Sequence, residues 1–505
     1  MMPAQTQQQP NPQQMFDQAR RLMGVGDFHE AANRLGFLRA RLPDQTPIRI
    51  VHGLCGAAMG MHELAGPELA SAAAEIQAAL DAAPEGDPNT PRRAEQLVIV
   101  LAQLARSLEA LGMTDQADAA FARADAIGPE DAFTIRARVE ILAARARTAE
   151  AQALLDRAAE RGLDELPAAM AAGAITLAKP QAAPEEFRML AQRLKAMTER
   201  VGLDAVTQGE ALRRCAELFH RAGETDEAFR ALNRSANLRR GKFDPAVHAR
   251  ITNATLEAWT QGAVARLKRP AIDASNRIFV IGLPGSGAEE LARAMTADPS
   301  VGSVGPGDIL TLCAMRHADA KPTPHRPMMI ETAKLRGTQL DSLAKAYMEQ
   351  TARAAQPGGR PVVVDSSSLH IHLLGLAAAA LPGARFVFVR RQPLAGVLAC
   401  YAAPLHGHHP YGKELGTVGA YAADFNRLCD HWANLLTGMG HTVVNASRES
   451  LDTHPADEMQ RVMTALGLDA DAPAPRFPPT PADQTDRYAR RLEPVAELLR
   501  AASPD

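Results

Sequence analysis

Apolar positions in the C-terminal half fall into short unbroken runs set between longer mixed segments. Ile278, Phe279, Val280 and Ile281 form one such run. Their side chains favour strands and leave no polar face, the pattern of a parallel strand covered on both sides. The run ends in Gly282-Leu283-Pro284-Gly285-Ser286-Gly287, and residues 288–297 continue with good helix formers that place Leu291 and Met295 on one face. Strand, glycine turn and helix together aim free backbone N–H groups and a helix N-terminus at an anion. Further strands are expected at 361–365 (PVVVD), 384–390 (ARFVFVR) and 442–445, and helices over 287–297, 340–355, 369–380, 393–402 and 415–437. This alternation predicts an α/β domain with a parallel sheet over residues 277–500. The Pro-rich stretch 315–335 is expected to be irregular, a lid or a substrate loop.

Residues 15–267 carry a different pattern. Ala105, Leu108, Gly112, Ala117, Phe121, Ala124 and Pro129 have the spacing of a tetratricopeptide repeat, and Ala117, Phe121 and Ala124 recur 34 residues later as Ala151, Leu155 and Ala158. Small residues let paired helices approach, and the larger ones fill the groove between them. Similar frames occur at Gly26, Ala31, Leu35 and Pro43, and at Gly223, Ala228, Leu232 and Ser235, whereas 44–97 and 160–207 fit poorly. The expected fold class is therefore α plus α/β: a tetratricopeptide-like helical array, a junction at 268–276, and a P-loop-type parallel-sheet domain. Generic amphipathic helices are the alternative for the array. By analogy of fold, such arrays bind a protein or peptide on a concave face. Residues 1–14 are a Gln/Pro-rich tail with nothing to bury, expected to be disordered.

Composition narrows the function. Hydrophobic residues make up 46% of the chain, enough for real cores, and only 4% are aromatic, which favours packed helices. A net charge of −3 gives no global attraction to nucleic acid or to a membrane surface, so neither is expected as a partner. Cys55, Cys215, Cys313, Cys400 and Cys429 are far apart and contain no CxxC, which points to a reducing cytoplasm and no zinc site. No apolar run has the length of a membrane span, and no signal-peptide pattern is visible. Gly282-x-x-x-x-Gly287 has the frame of a nucleotide P-loop, but Ala288 and Glu289 follow where a Walker loop needs Lys and Ser or Thr. A Mg-dependent kinase is thereby disfavoured. A βα turn without a ligand remains the alternative reading of the loop taken alone.

Several motifs then fall in one order: the glycine loop after a first strand, VVVDSSS, LPGARFVFVRRQP, LHGHHPYGKELGTVGAYAADFNRLCDHW, and a short strand leading to RESL. That order resembles the PAPS-dependent sulfotransferases, most closely the bacterial fusions of tetratricopeptide repeats to a sulfotransferase domain. These in turn look like protein-tyrosine sulfotransferases. The resemblance covers about residues 208–470, including TDEAFRALNRSANLRRGKFDP at 225–245. It implies in-line transfer of a sulfuryl group from PAPS to a hydroxyl, with no metal. Such a reaction needs N–H groups and cations at the leaving oxygens, a base for the acceptor proton, and an Arg and Ser at the 3′-phosphate.

Held against that family, the frame persists and many ligands are lost. The donor loop falls on Pro284, Gly285, Ser286, Gly287, Ala288 and Glu289, where the family has Pro-Arg-Ser-Gly-Thr-Thr. Asp365-Ser366 stands for the family's Asp-Lys, and Asp365 is equally well read as the cap of a helix starting near Ser368. Arg391 matches the 3′-phosphate Arg, and the partner Ser falls at Ala399. The catalytic Glu position reads Pro306 without a gap, or Asp308 after Gly307 with an insertion, so Asp308 is the candidate base. Glu449 in RESL matches a family Glu, with Arg448 where the family has Tyr, and the usual adenine-side segment ahead of Arg487 and Tyr488 is missing. Replacement cations would have to come from Arg293, Arg316, His317, Lys321 or Arg390. Of His406, His408 and His409, Gly407-His408 fits a family loop better than a metal site, and His370 and His372 are spaced wrongly for paired ligation. Two functions stay open: sulfuryl transfer from PAPS, or a catalytically inactive sulfotransferase-fold scaffold that binds proteins through its repeats.

Overall fold

The computed structural model describes residues 11–128, 132–200, 202–305, 309–317, 337–355, 361–405, 409–469 and 481–502. Among the described residues, helices follow one another from Pro12 to Ala265. The first begins at Pro12, inside the Gln/Pro-rich stretch, because Asn11 caps it by accepting from the Gln13 N–H and Met15 and Ala19 are buried against the next helix. Residues 12–14 are thus helical, contrary to the expected tail. Ala117, Phe121 and Ala124 are buried on helix Thr114–Ile127, and Ala151, Leu155 and Ala158 on Thr148–Glu160.

The turns inside these helical pairs share one geometry. Gly26, Gly60, Gly112, Ala146 and Gly223 all take positive φ. In the pair around Ala146, its N–H reaches the Ala143 carbonyl at 2.9 Å and the Arg147 N–H reaches Leu142 at 2.8 Å, closing the helix end. Gly112 and Met113 repeat the arrangement 34 residues earlier, onto Glu109 and Leu108.

After residue 276 the chain forms a five-stranded parallel sheet in the order β2-β3-β1-β4-β5. The strands are β1 Arg277–Gly282, β2 Val301–Ser303, β3 Val362–Asp365, β4 Arg385–Arg390 and β5 Val443–Ser447. Three-residue β2 is too short to announce itself in the sequence. The expected helix 369–380 is broken: Ser368–His372 is a 3-10 turn and Leu374–Ala380 the helix. Helices Ile309–His317, Arg448–Thr453, Pro455–Ala465 and Ala489–Ala502 were not anticipated. In the stretch expected to be irregular, 315–317 belong to the first of these, and 318–335 lie outside the described residues.

Alternate residues of β1 and β4 serve two cores. Phe279, Ile281, Phe386 and Phe388 join one cluster, while Ile278, Val280, Val387 and Val389 join the other. The Phe279 cluster is continuous with Phe219, Phe229 and Trp259 of the helical region, so the two regions share one apolar core. Trp259 is the central contact. Its ring is 1% exposed and meets Trp432 edge-on, and a Cβ on Gly375 would lie 2.3 Å from it. His431 Nε2 donates to the Trp259 carbonyl at 2.7 Å, and Arg239 donates to the carbonyls of Gly412 and Ala403 at 2.7 and 2.8 Å. On the far side, buried His220 hydrogen-bonds Tyr488 at 3.0 Å.

Two stability predictions follow from this joint. Gly375→Ala should cost about 1–3 kcal/mol in urea denaturation, because the added methyl would overlap the Trp259 indole ring, which is buried against Trp432 and cannot swing aside as a flexible side-chain tip would. Burial, and then the Arg487 charge, lower the His220 pKa to about 4 from the ordinary 6.5. The unfolded chain therefore takes up this proton first as pH falls. The His220 contribution is full above about pH 6.5 and declines toward pH 4. A His220→Gln variant should lose stability less steeply across that window than the wild type. Parallel curves would contradict the assignment.

Candidate functional site

Because all five strands run parallel, their C-terminal ends share one edge, the usual ligand edge of such sheets. The glycine loop leaves this edge from β1. Gly285 (φ +80°) and Gly287 (φ +97°) hold left-handed conformations, and Gly287 caps helix Ala288–Met295. A Cβ on Gly282 would lie 2.1 Å from Ser286 Oγ, and one on Gly285 would lie 2.7 Å from the Ala399 carbonyl oxygen. The loop can follow this path only with glycine at both places. The first-turn N–H groups of the helix have no acceptor within it. The Ser286 N–H is used internally, donating to the Leu283 carbonyl at 2.8 Å. Its hydroxyl is buried and makes no hydrogen bond to any described residue.

The rest of the site is less hospitable to anions. Ala288 is buried, Pro284 half-buried and Glu289 exposed. The protein around Glu289, and then the Glu290 charge, raise its pKa, to about 7. Since the residue is exposed, water at its tip offsets part of that rise. Ala399 is 4% exposed and packs against Gly285, so the position that matches the family's Ser is filled by apolar contact.

Arg391 lies just beyond β4 and does reach the loop. Its Nη1 donates to the Gly285 carbonyl at 3.4 Å. Its Nη2 is ion-paired with Asp483, which the 3-10 turn Pro481–Tyr488 brings in against helix Pro393–Ala402. The Arg391 side chain is 4% exposed and its buried Nε makes no hydrogen bond to any described residue, whereas the Asp483 side chain is 29% exposed. Glu449 lies close by: it accepts from the Gln392 N–H at 2.9 Å and from the Ser447 hydroxyl at 3.2 Å.

Asp365 ends β3 but caps no helix. Its carboxylate accepts from the Tyr347 hydroxyl at 2.8 Å and bonds His370 Nε2 at 2.9 Å, with all three side chains buried. Burial, and then Asp365, push the Tyr347 pKa well above its ordinary value. In register Asp365 faces Phe279, three residues before the loop begins. The structure thus brings the loop, Arg391 and Ala399 together and sets Asp365 aside in a buried network. Arg390 bonds Asp430 at 2.7 Å. Asp308, Pro306, Gly307, Lys321, His406 and His408 lie outside the described residues. Among the described residues no group of three or more His, Cys, Asp or Glu is placed to hold a metal ion, and no helix is long and apolar enough to cross a membrane. Asp483 was not foreseen. It lies 92 residues from Arg391, and no local spacing announces the pair.

With this geometry in place, comparison with known proteins is informative. Residues 277–472 match the Sulfotransferase family. An uncharacterized protein of Aquifex aeolicus (strain VF5) is 23% identical over 233 residues, which is 44% of this chain and 30% of that protein. The chain thus spans about a third of that relative's length. Among solved structures, a sulfotransferase from Alicyclobacillus acidocaldarius aligns with 46% of this chain and 96% of its own, at 16% identity and a TM-score of 0.28. Sulfotransferase STF9 from Mycobacterium avium aligns with 63% and 97%, at 16% identity and a TM-score of 0.26.

Ser286 gives a direct test of the loop. A buried hydroxyl without a partner costs about 1–3 kcal/mol. Ser286→Ala should therefore leave the unliganded protein as stable as wild type or more so, while weakening its binding of sulfate, both read by thermal shift. A loss of stability without ligand would show that the hydroxyl is satisfied.

Proposed function

We propose that the 277–500 region is a sulfotransferase domain that transfers a sulfuryl group from PAPS to a hydroxyl, on a protein or peptide held by the helical region. The observation that carries this reading is the loop. It is a strand–glycine–helix cradle on the ligand edge of a parallel sheet, with a buried, unpartnered Ser286 hydroxyl, inside the stretch that matches the Sulfotransferase family. We read the helical pairs as tetratricopeptide-like, on the strength of their common turn geometry and the 34-residue interval between Gly112 and Ala146. The five cysteines are buried and unbridged, which suits a cytoplasmic setting.

In this reading the N–H groups of the first helical turn and Ser286 Oγ hold the phosphosulfate, and Arg391 holds the 3′-phosphate. During transfer the S–O bond to the donor phosphate breaks as a new S–O bond forms to the acceptor oxygen. The acceptor proton passes to a carboxylate, the role assigned to Asp308. The loop donors oppose charge on the departing phosphate oxygen.

A specific feature favours a second reading, a nucleotide- or anion-binding scaffold without turnover. Arg391 is already neutralised by Asp483, and Ala399 offers no hydroxyl. Both readings place adenosine 3′,5′-bisphosphate at Arg391, and calorimetric titration tests that placement. A charge-assisted contact is worth about 1.5–3 kcal/mol. Asp483→Asn should therefore tighten binding by about ten-fold or more, and Arg391→Ala should weaken it by about ten-fold or more. No binding by either wild type or Asp483→Asn at millimolar ligand would overturn the donor site. Turnover with radiolabelled PAPS would then separate enzyme from scaffold.

A further inference from the structure

Far from the sheet edge, three helices of the N-terminal region build a groove of about 670 Å³. Helix Pro12–Gly24 contributes Phe16, Arg20 and Met23, and helix Thr46–Ala58 contributes Pro47, Ile50, Val51 and Leu54. Helix Thr90–Ala110 contributes Arg92, Arg93 and Gln96, with Asn89 just before it. Each set follows the spacing that keeps side chains on one helix face. The stripes run about 10 Å along their helices, the length of roughly three extended residues.

The groove is chemically two-sided. Its first two helices give an apolar wall interrupted only by Arg20, and the third gives a basic and polar wall. No described Asp or Glu lines it. Arg93 is held by Asp87 at 2.7 Å, whereas Arg20 and Arg92 are exposed and have no ion pair to a described carboxylate. A protein of net charge −3 has thus gathered three arginines around one apolar trough, of which only Arg93 is ion-paired with a described carboxylate.

We propose that this groove binds a short acidic peptide segment, with apolar side chains in the Ile50–Leu54 trough and carboxylates on Arg20 and Arg92. Charge complementarity selects that occupant. The apolar wall explains why a small free anion would not fill the site, and the concave shape argues against a flat lipid surface. The chain's own first ten residues, MMPAQTQQQP, contain no carboxylate and do not match the basic wall. The inference rests on reading the helical region as a binding element. It does not depend on sulfuryl transfer, and its test measures binding alone.

The test uses the full chain and a display library of short random peptides, followed by fluorescence anisotropy on enriched sequences. Peptides combining Asp or Glu with Leu, Ile or Phe should be enriched. Replacing their acids by Asn and Gln should weaken binding by about ten-fold or more. The exposed-site double variant Arg20→Glu/Arg92→Glu should weaken it similarly, with an unchanged circular dichroism spectrum, and should leave adenosine 3′,5′-bisphosphate titration unaltered. Enrichment of basic or uncharged peptides, equal binding by the double variant, or binding to phosphatidylserine vesicles in place of peptides would overturn the proposal. Failure of nucleotide binding with peptide binding intact would remove the donor site and leave the groove standing.

Discussion

Everything at the sheet edge depends on the close approach of Gly285 to the backbone at Ala399. The loop can lie there only because neither Gly282 nor Gly285 has a side chain, and because β1 is fixed between two apolar cores by Phe279 and Ile281 on one side and Ile278 and Val280 on the other. A strand buried on both faces cannot slide or tilt without exposing one of them. The loop that leaves it is correspondingly fixed, and so are the donors of the helix that follows. Preorganised donors of this kind need no rearrangement when an anion arrives.

Charge at this edge is balanced differently from backbone geometry. Arg391 would be a buried, uncompensated cation if Asp483 were absent, and such a charge is costly. Asp483 supplies the compensation from the C-terminal segment while keeping part of its carboxylate in water. An arriving phosphate could take over that pairing without stranding Arg391, while Asp483, already partly exposed, turns into water. The ion pair is thus compatible with a ligand that must displace it. It also explains why the site tolerates so few cations: in the unliganded protein each further buried cation would need its own partner.

Much of this arrangement was legible in the sequence. Unbroken apolar runs marked β1, β3 and β4 because both faces of each central strand are buried, and the glycines marked the loop because two of them must take positive φ. What was not legible depends on contacts distant in sequence. Asp365 read as a ligand or a helix cap, yet Tyr347 and His370 claim it. Asp483 reaches Arg391 across a separation that no motif spans, and Trp259 meets Gly375 in the same way. Short β2 lacks the length for a periodic signal, and it forms because β3 offers it an edge. Helix Pro12–Gly24 arises inside a tail-like composition because a neighbouring helix covers Met15 and Ala19.

The central claim is that the loop over Gly282–Gly287 is an anion site whose cation, Arg391, is held in reserve by Asp483. Hydrogen–deuterium exchange with and without adenosine 3′,5′-bisphosphate tests it most directly, because it reports the loop and the C-terminal turn in one experiment. The account predicts slower exchange over the glycine loop and first turn of helix Ala288–Met295, together with faster exchange over Pro481–Tyr488 as Asp483 is released. Protection confined to other parts of the chain, with both segments unchanged, would contradict it.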